Sequence, residues 1–180
     1  MSGPDLPTHR PDGLPLFSPK GTPVHWIRTS AVAKVGNPFK GCWPDIDKPV
    51  TMKEVEACLA AGREHLHDVF DWCDRDGTPQ ERERRRAEHI EKIAWFVRHG
   101  FQEPLSLDVG IPSMNFYVRH IVQDGNHRLA AALYRASRFG EDPLLPLSVG
   151  GEVSHAIRLG LWEEDAFIDA AHCASFEQAS

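Results

Sequence analysis

The sequence predicts an α+β domain: a small mixed sheet with helices, into which a helical hairpin is inserted. Three observations lead there. Short segments with apolar residues at every second position are interleaved with longer ones whose apolar residues recur every three to four positions. Two Thr-x-x-Glu boxes, Thr51 to Glu54 and Thr78 to Glu81, each open one of the longer segments. The strand-like run Ile121-Val122-Gln123 breaks at Asp124-Gly125 directly into an alanine-rich helical pattern.

Residues 1–23 carry Pro4, Pro7, Pro11, Pro15, Pro19 and Pro23, which bars a long helix or a central strand. An extended arm on the domain or a partner and a disordered tail both remain open. The segment 24–32 is the first strand, with Val24 and Trp26 on one face and His25 and Ile27 on the other. Gly36-Asn37-Pro38 and Gly41-Cys42-Trp43-Pro44 then mark an ordered loop, in which Trp43 is usually packing and otherwise a stacking surface for a base. The first box starts a helix with Val55, Leu59, Gly62, Leu66, Val69 and Phe70 on one stripe, ending near Asp74. The second, with Pro79 at the first helical position, starts a helix with Ile90, Ile93, Ala94 and Val97, closed by Gly100. A short turn between them favours an antiparallel hairpin, with 51–75 as the insertion. Strands over 105–109 and 116–123, a helix over 127–138 and a strand over 144–149 follow. Pro146 suggests an edge position for that last strand. Ser154 caps a final helix to about Ala170, ahead of a tail at 171–180. The expected organisation is one domain, 24–170, behind the arm at 1–23.

A net charge of −6 excludes a molecule that binds nucleic acid through its overall charge, so any such surface must be local. The four cysteines, Cys42, Cys58, Cys73 and Cys173, form no Cys-x-x-Cys pair and read as reduced thiols of a cytoplasmic protein. No apolar run approaches a membrane span of about 18 residues, and the N-terminus lacks a secretory pattern. His65 and His67, placed on a helix, would point apart and could not share a metal ion. Arg82, Arg84, Arg85 and Arg86 are interleaved with Glu81 and Glu83. They read as a solvated helix face, with a local DNA-binding patch, extended by Arg135 and Arg138, as the alternative.

The corner at 124–128 carries the chemistry. Gly125 allows a sharp turn. The free N–H groups of the first helical turn, the imidazole of His127 and the guanidinium of Arg128 then converge, as suits an anion and above all phosphate. Asp124 and Asn126 each compete for the bland role of helix cap.

The segment from Ile90 to Val149 resembles the ParB/sulfiredoxin superfamily (the ParB-like nuclease domain). The matching features are a helix ending in His99-Gly100-Phe101-Gln102-Glu103-Pro104-Leu105, a hairpin, the Asp124-Gly125-Asn126-His127-Arg128 corner with its alanine-rich helix, and a closing strand. The resemblance implies that Gly125, Asn126, His127 and Arg128 hold nucleotide phosphates, with ATP or another nucleoside triphosphate as cofactor. Where sulfiredoxins carry a reactive cysteine, Asn126 stands, which argues against redox repair. Few residues follow the module, which argues against a partition factor with its helix-turn-helix. The remaining likeness is to stand-alone members, including plasmid-borne ATPase and DNase proteins. An aspartate beside bound phosphate calls for a cation between them, so Asp124 is the candidate ligand for Mg²⁺, or else the base that takes a proton from the nucleophile. By analogy with the family, Glu103 is a second acid, and His127 a donor or acid. The expected function is hydrolysis of ATP, of DNA phosphodiesters or of both with Mg²⁺. The alternatives are a kinase for a free amino acid or small molecule and a non-catalytic nucleotide- or DNA-binding regulator of plasmid or phage origin. The expected partners are a nucleotide, DNA through the arginine patch, and a protein; no membrane is expected.

Overall fold

Four strands, β1 (His25–Arg28), β2 (Leu105–Asp108), β3 (Val122–Asp124) and β4 (Leu144–Gly150), form one sheet in the order β1–β4–β2–β3. The structure is a computed structural model and describes residues 13–15, 17–21, 23–68 and 76–162. β4 runs antiparallel to β1 and parallel to β2, and β3 is antiparallel to β2, so the sheet is mixed and the fold α+β, as the sequence predicts. Five helices accompany it among the described residues: α1 (Thr29–Val35), α2 (Met52–Ala60), α3 (Pro79–His99), α4 (Asn126–Phe139) and α5 (Val153–Arg158).

The central helix is α4. Every residue from Asn126 to Tyr134 is buried, so the helix has two apolar faces rather than the single one its leucine spacing suggests. Leu129, Ala132 and Leu133 join Leu105, Leu107, Leu145 and Leu147 in the core over the sheet. Ala130, Ala131 and Tyr134 face the opposite way and join Val55, Ile90, Ile93 and Ala94 in a second core under α2 and α3. The alanines matter here because small side chains let helix surfaces approach closely. Truncating Leu129, which is fully buried, would cost about 2–5 kcal/mol.

Several elements differ from expectation, each for a reason outside its own segment. The first strand stops at Arg28, and Thr29–Val35 is helical. Asp142, far along the chain, caps this helix: its carboxylate accepts from the Ser30 amide at 2.9 Å and from the Ser30 hydroxyl at 2.7 Å. Thr29 also donates its amide and hydroxyl to the Pro143 carbonyl. β4 is central, not at an edge. Pro146 lies opposite Trp26 and, given the Thr29–Pro143 bond, falls in the non-hydrogen-bonded phase of the β1 ladder. Its missing N–H is on the β2 side, where β2 begins only at Leu105, opposite Leu147. The strand predicted over 116–123 shrinks to Val122–Asp124, because 111–116 forms its own closed turn with Ile111 and Phe116 bridged.

Both capping boxes are present, with Thr51 and Thr78 accepting from the amides of Glu54 and Glu81. Yet α2 ends at Ala60, not near Asp74. Gly62 takes φ 61°, the Gly62 amide donates to the Leu59 carbonyl and the Arg63 amide to the Cys58 carbonyl, which is a Schellman stop. The helical pair also runs parallel. Glu54 near the start of α2 meets Arg86 in the first half of α3, whereas the Leu59 carbonyl accepts from Arg98 near the end of α3. A parallel pair rules out the expected tight turn between the two helices. The last helix likewise stops early: Gly160 at φ 71° ends it after Arg158, and its N-cap is Glu152, not Ser154. The expected continuation to Ala170, the tail at 171–180, Val69, Phe70, Cys73 and Cys173 lie outside the described residues. No described helix is long and apolar enough to cross a membrane.

Candidate functional site

A cavity of about 490 Å³ opens between the second half of α3, the segment 66–68, the turn 100–103 and the β3–α4 corner. It brings together Glu103, Asp124, Gly125, His127 and Arg128, five of the six residues the sequence assigns to the site. Asn126, the sixth, is buried at the start of α4 and does not line the cavity.

The corner depends on Gly125, which adopts φ 93°. A Cβ there would lie 2.9 Å from Leu105 Cγ and 3.2 Å from the Arg128 Nε, so both the backbone sign and the lack of space require glycine. No side chain caps α4, so neither Asp124 nor Asn126 is the cap. The first helical bond runs from the Leu129 amide to the Gly125 carbonyl at 2.8 Å, and the amides of 126–128 precede it, at the positive end of the helix.

Arg128 has a structural task that its position in the sequence does not announce. Its Nη1 donates to the carbonyls of Glu103 at 2.8 Å and Pro104 at 2.9 Å, and its Nη2 to Asp124 Oδ2 at 2.8 Å. The guanidinium thus ties the 103–104 turn to the corner, and a phosphate approaching it competes with Asp124. The Asp124 carboxylate itself is 67% exposed. Glu103 is exposed and pairs with Lys20 Nζ at 2.7 Å, which brings Lys20 to the cavity rim. The hydrogen bond and charge of Lys20, with the charge of Arg128, hold the Glu103 carboxyl below its ordinary range. It is suited to accept a hydrogen bond as a carboxylate at neutral pH rather than to act as an acid.

The wall opposite the corner is aromatic: Trp95, Phe96 and Phe101, with Trp95 stacked on His99 at 4.6 Å and Phe96 edge-on to Phe101 at 6.1 Å. Lys92 adds a second cation to the lining, and Asp68 a further carboxylate. His65 and His67 are not on a helix, contrary to the premise used to separate them. Their rings meet edge-on at 4.5 Å, and His67 Nε2 lies 2.6 Å from Glu91 Oε2. Among the described residues no group of three or more His, Cys, Asp or Glu side chains is arranged to hold a metal ion. Mg²⁺ at a phosphate site commonly needs only one or two carboxylates beside the phosphate oxygens, a role the exposed Asp124 fits.

Behind the corner lies a buried array that the sequence reading missed. His127 Nε2 is 2.7 Å from His89 Nδ1, and His89 Nε2 is 3.2 Å from each carboxylate oxygen of Asp45. All three side chains are buried. Trp43 is buried with them, its ring 4.9 Å from that of His89 and 5.0 Å from that of His127, so it is packing and not a platform for a base. The available signal was His89 itself. It precedes Ile93 and Val97 at four-residue steps and so sits in the apolar stripe of α3.

The arginine run is occupied with the fold. Arg82 pairs with Asp47, Arg84 with Glu88, and Arg85 donates to the Asp76 carbonyl. Arg86, nearly buried, joins Glu54 to the carbonyls of Lys48 and Pro49. Arg135 and Arg138 pair with Glu141 and Glu56. Each arginine therefore faces a local acceptor, and the run pins the 45–50 loop that carries Asp45. Cys42 and Cys58 are both thiols. No family model, no curated protein and no solved structure matches the chain.

Proposed function

We propose that this protein is a ParB/sulfiredoxin-like nucleotide-binding protein that hydrolyses the phosphate bond of a nucleoside triphosphate such as ATP. The observation that carries the reading is one cavity with two unlike ends. The uncapped start of α4, with Arg128 and Lys92 nearby, offers positive potential to phosphate, and Trp95, Phe96 and Phe101 offer flat apolar surface to a base. The phosphates occupy the corner at Gly125–Arg128. Mg²⁺, held by Asp124 together with the phosphate oxygens, would neutralise charge that otherwise repels the carboxylate. Asp124 then gives up its bond to Arg128, and the guanidinium turns its Nη2 to phosphate while its Nη1 keeps the 103–104 turn in place. An alcohol of a small molecule could replace water as nucleophile, which is the kinase variant; DNA phosphodiesters as substrate need a cationic surface that the arginine run, already paired, does not favour.

The existing Asp124–Arg128 pair favours a second reading, a nucleotide-binding regulator without chemistry, because the acid and the cation neutralise each other until a ligand separates them. The test is ATP and plasmid-DNA turnover with Mg²⁺, alongside nucleotide titration, for wild type, Asp124→Asn and Lys92→Ala. Turnover lost in Asp124→Asn with binding retained supports hydrolysis. Binding without turnover in the wild type supports the regulator. Neither binding nor turnover defeats both.

A further inference from the structure

We propose that the turn at 111–117 is a contact site for a phospholipid membrane surface, its apolar side chains entering the bilayer while Arg119 meets lipid phosphate. This role does not rest on the nucleotide reading above. β2 starts beside the Gly125 corner and β3 returns to it at Asp124. The chain between them therefore emerges at the end of the strand pair away from the cavity.

Of the nine large apolar residues exposed among the described residues, four lie on this one turn: Ile111 at 36%, Met114 at 75%, Phe116 at 52% and Tyr117 at 68%. Single exposed apolar residues are ordinary, but such a cluster marks a contact surface. The turn is also pre-formed. Ile111 and Phe116 exchange both backbone hydrogen bonds, at 2.8 and 3.1 Å, which sets their side chains on the same side. Gly110 closes the base: a Cβ there would lie 2.7 Å from the Phe116 carbonyl oxygen. Every amide from Gly110 to Phe116 has an acceptor. Those of Ile111, Met114, Asn115 and Phe116 bond within the turn. That of Gly110 donates to Asp108 Oδ1 at 2.8 Å and that of Ser113 to Glu152 Oε2 at 2.9 Å, and Pro112 has no N–H. A loop normally leaves such donors to water, and each unsatisfied one resists entry into hydrocarbon. Over this stretch none is left.

Charge and area choose the occupant. No acidic residue lies between Asp108 and Asp124, although the chain carries a net charge of −6. Arg119 and His120 follow the apolar residues closely, and both are exposed. Unlike the arginines of α3, Arg119 has no acceptor among the described residues. The nearby acid, Glu152, is engaged by the Ser113 amide, the Ser154 hydroxyl and, at 3.8 Å, Arg158. Apolar side chains backed by a cation suit the bilayer interface, and tyrosine favours the headgroup level. At about 200 Å² for a fully exposed side chain of this size, the four expose roughly 450 Å², about half of what each side of a stable protein interface buries. A twofold contact between copies would also bring Arg119 towards Arg119, with no acid in the segment to answer it. A bilayer needs neither a complementary groove nor a minimum area, and the contact is weak and reversible. A turn that enters only the surface requires no spanning helix.

The test is co-sedimentation of the wild-type chain with vesicles of equal parts phosphatidylcholine and phosphatidylglycerol, without nucleotide. The wild type should sediment with the vesicles. The double variant Met114→Ser, Phe116→Ser should bind at least about tenfold more weakly, because it loses most of the apolar area that enters the bilayer. Both residues are exposed, so its urea midpoint should stay near that of the wild type. Arg119→Ala should weaken binding by about fivefold, the effect of one cation near an anionic surface. That loss should shrink at high salt and on vesicles of phosphatidylcholine alone, whereas the loss in the double variant should persist in both. A folded wild type that stays in the supernatant overturns the membrane role, as does vesicle binding that survives in the double variant. Light scattering of the same proteins reads the competing occupant: self-association that the double variant abolishes would assign the turn to a second copy and overturn the proposal.

Discussion

Arg128, in the first turn of α4, holds Asp124 at the end of β3 at 2.8 Å, yet the two residues contribute to the fold very unequally. The arginine side chain is 9% exposed and the aspartate 67%. Removing the arginine leaves two backbone carbonyls, of Glu103 and Pro104, without their donor. Arg128→Ala should therefore lose roughly 2–4 kcal/mol, as expected for buried hydrogen bonds to a charged group. Asp124→Asn removes only an exposed pair and should lose less than about 1 kcal/mol. Urea unfolding of both variants checks the split. Equal losses would show that Arg128 is not the tie between turn and corner. For the same reason Arg128→Ala is a poor probe of the site's chemistry and Asp124→Asn a good one.

Gly125→Ala should damage both stability and the site. The φ of 93° strains any L side chain, and the new methyl group would meet fully buried Leu105 at 2.9 Å. Strain of this kind costs about 1–3 kcal/mol, and relief requires the start of α4 to move. A midpoint of urea unfolding that falls with an unchanged slope, together with weakened nucleotide binding, is the expected result. An alanine variant as stable as the wild type would mean that the corner can re-form without the left-handed turn.

These contrasts show where the sequence was legible. Local grammar could be read: the two Thr–Glu boxes, Pro79 at the start of α3, and the Asp124-Gly125 corner that launches α4 all stand where their residue types place them. What could not be read depends on partners distant in sequence. Asp142, just before the neighbouring strand β4, caps the helix at 29–35, and Pro146 is tolerated in a central strand because β2 starts one register position late. Asp45 and His89 meet His127 only once α3 packs on α4, and no spacing in the chain announces that contact. The residues named for the corner do share a cavity, Asn126 apart, but the arginine expected to contact phosphate is already holding a turn.

Stability should respond to acid through Glu152. Its carboxylate accepts from the Ser154 hydroxyl and, at 2.9 Å, from the Ser113 amide, which lowers its pKa from 4.5 to about 2. A carboxyl depressed in the folded state contributes stability above its unfolded pKa and loses it as pH falls through the folded one. The contribution of Glu152 should therefore be intact above about pH 4.5 and vanish towards pH 2. Glu152→Gln should flatten the acid limb of the stability curve in that window and leave its slope near neutral pH unchanged. An acid limb identical to that of the wild type would show that the contact with Ser113 does not persist in solution.

Gly62→Ala tests whether the cavity wall depends on where α2 stops. A methyl group on Gly62 would have nothing within 4 Å, so crowding is not the issue and only the φ of 61° opposes substitution. A non-glycine residue in that conformation costs about 1–2 kcal/mol. The stiffer unfolded chain of an alanine returns about 0.4–1 kcal/mol, so the net loss should be near 1 kcal/mol. The functional consequence is larger than that figure suggests. The Schellman stop directs the chain out of α2 into the segment 63–68, from which Leu66, His67 and Asp68 line the cavity. Alanine favours continuing the helix past 62, which would pull those residues off the wall and break the His67–Glu91 contact at 2.6 Å. Nucleotide affinity in Gly62→Ala should therefore fall by more than the stability loss alone explains when measured well below the unfolding transition. Unchanged affinity would show that the wall keeps its place without the glycine stop.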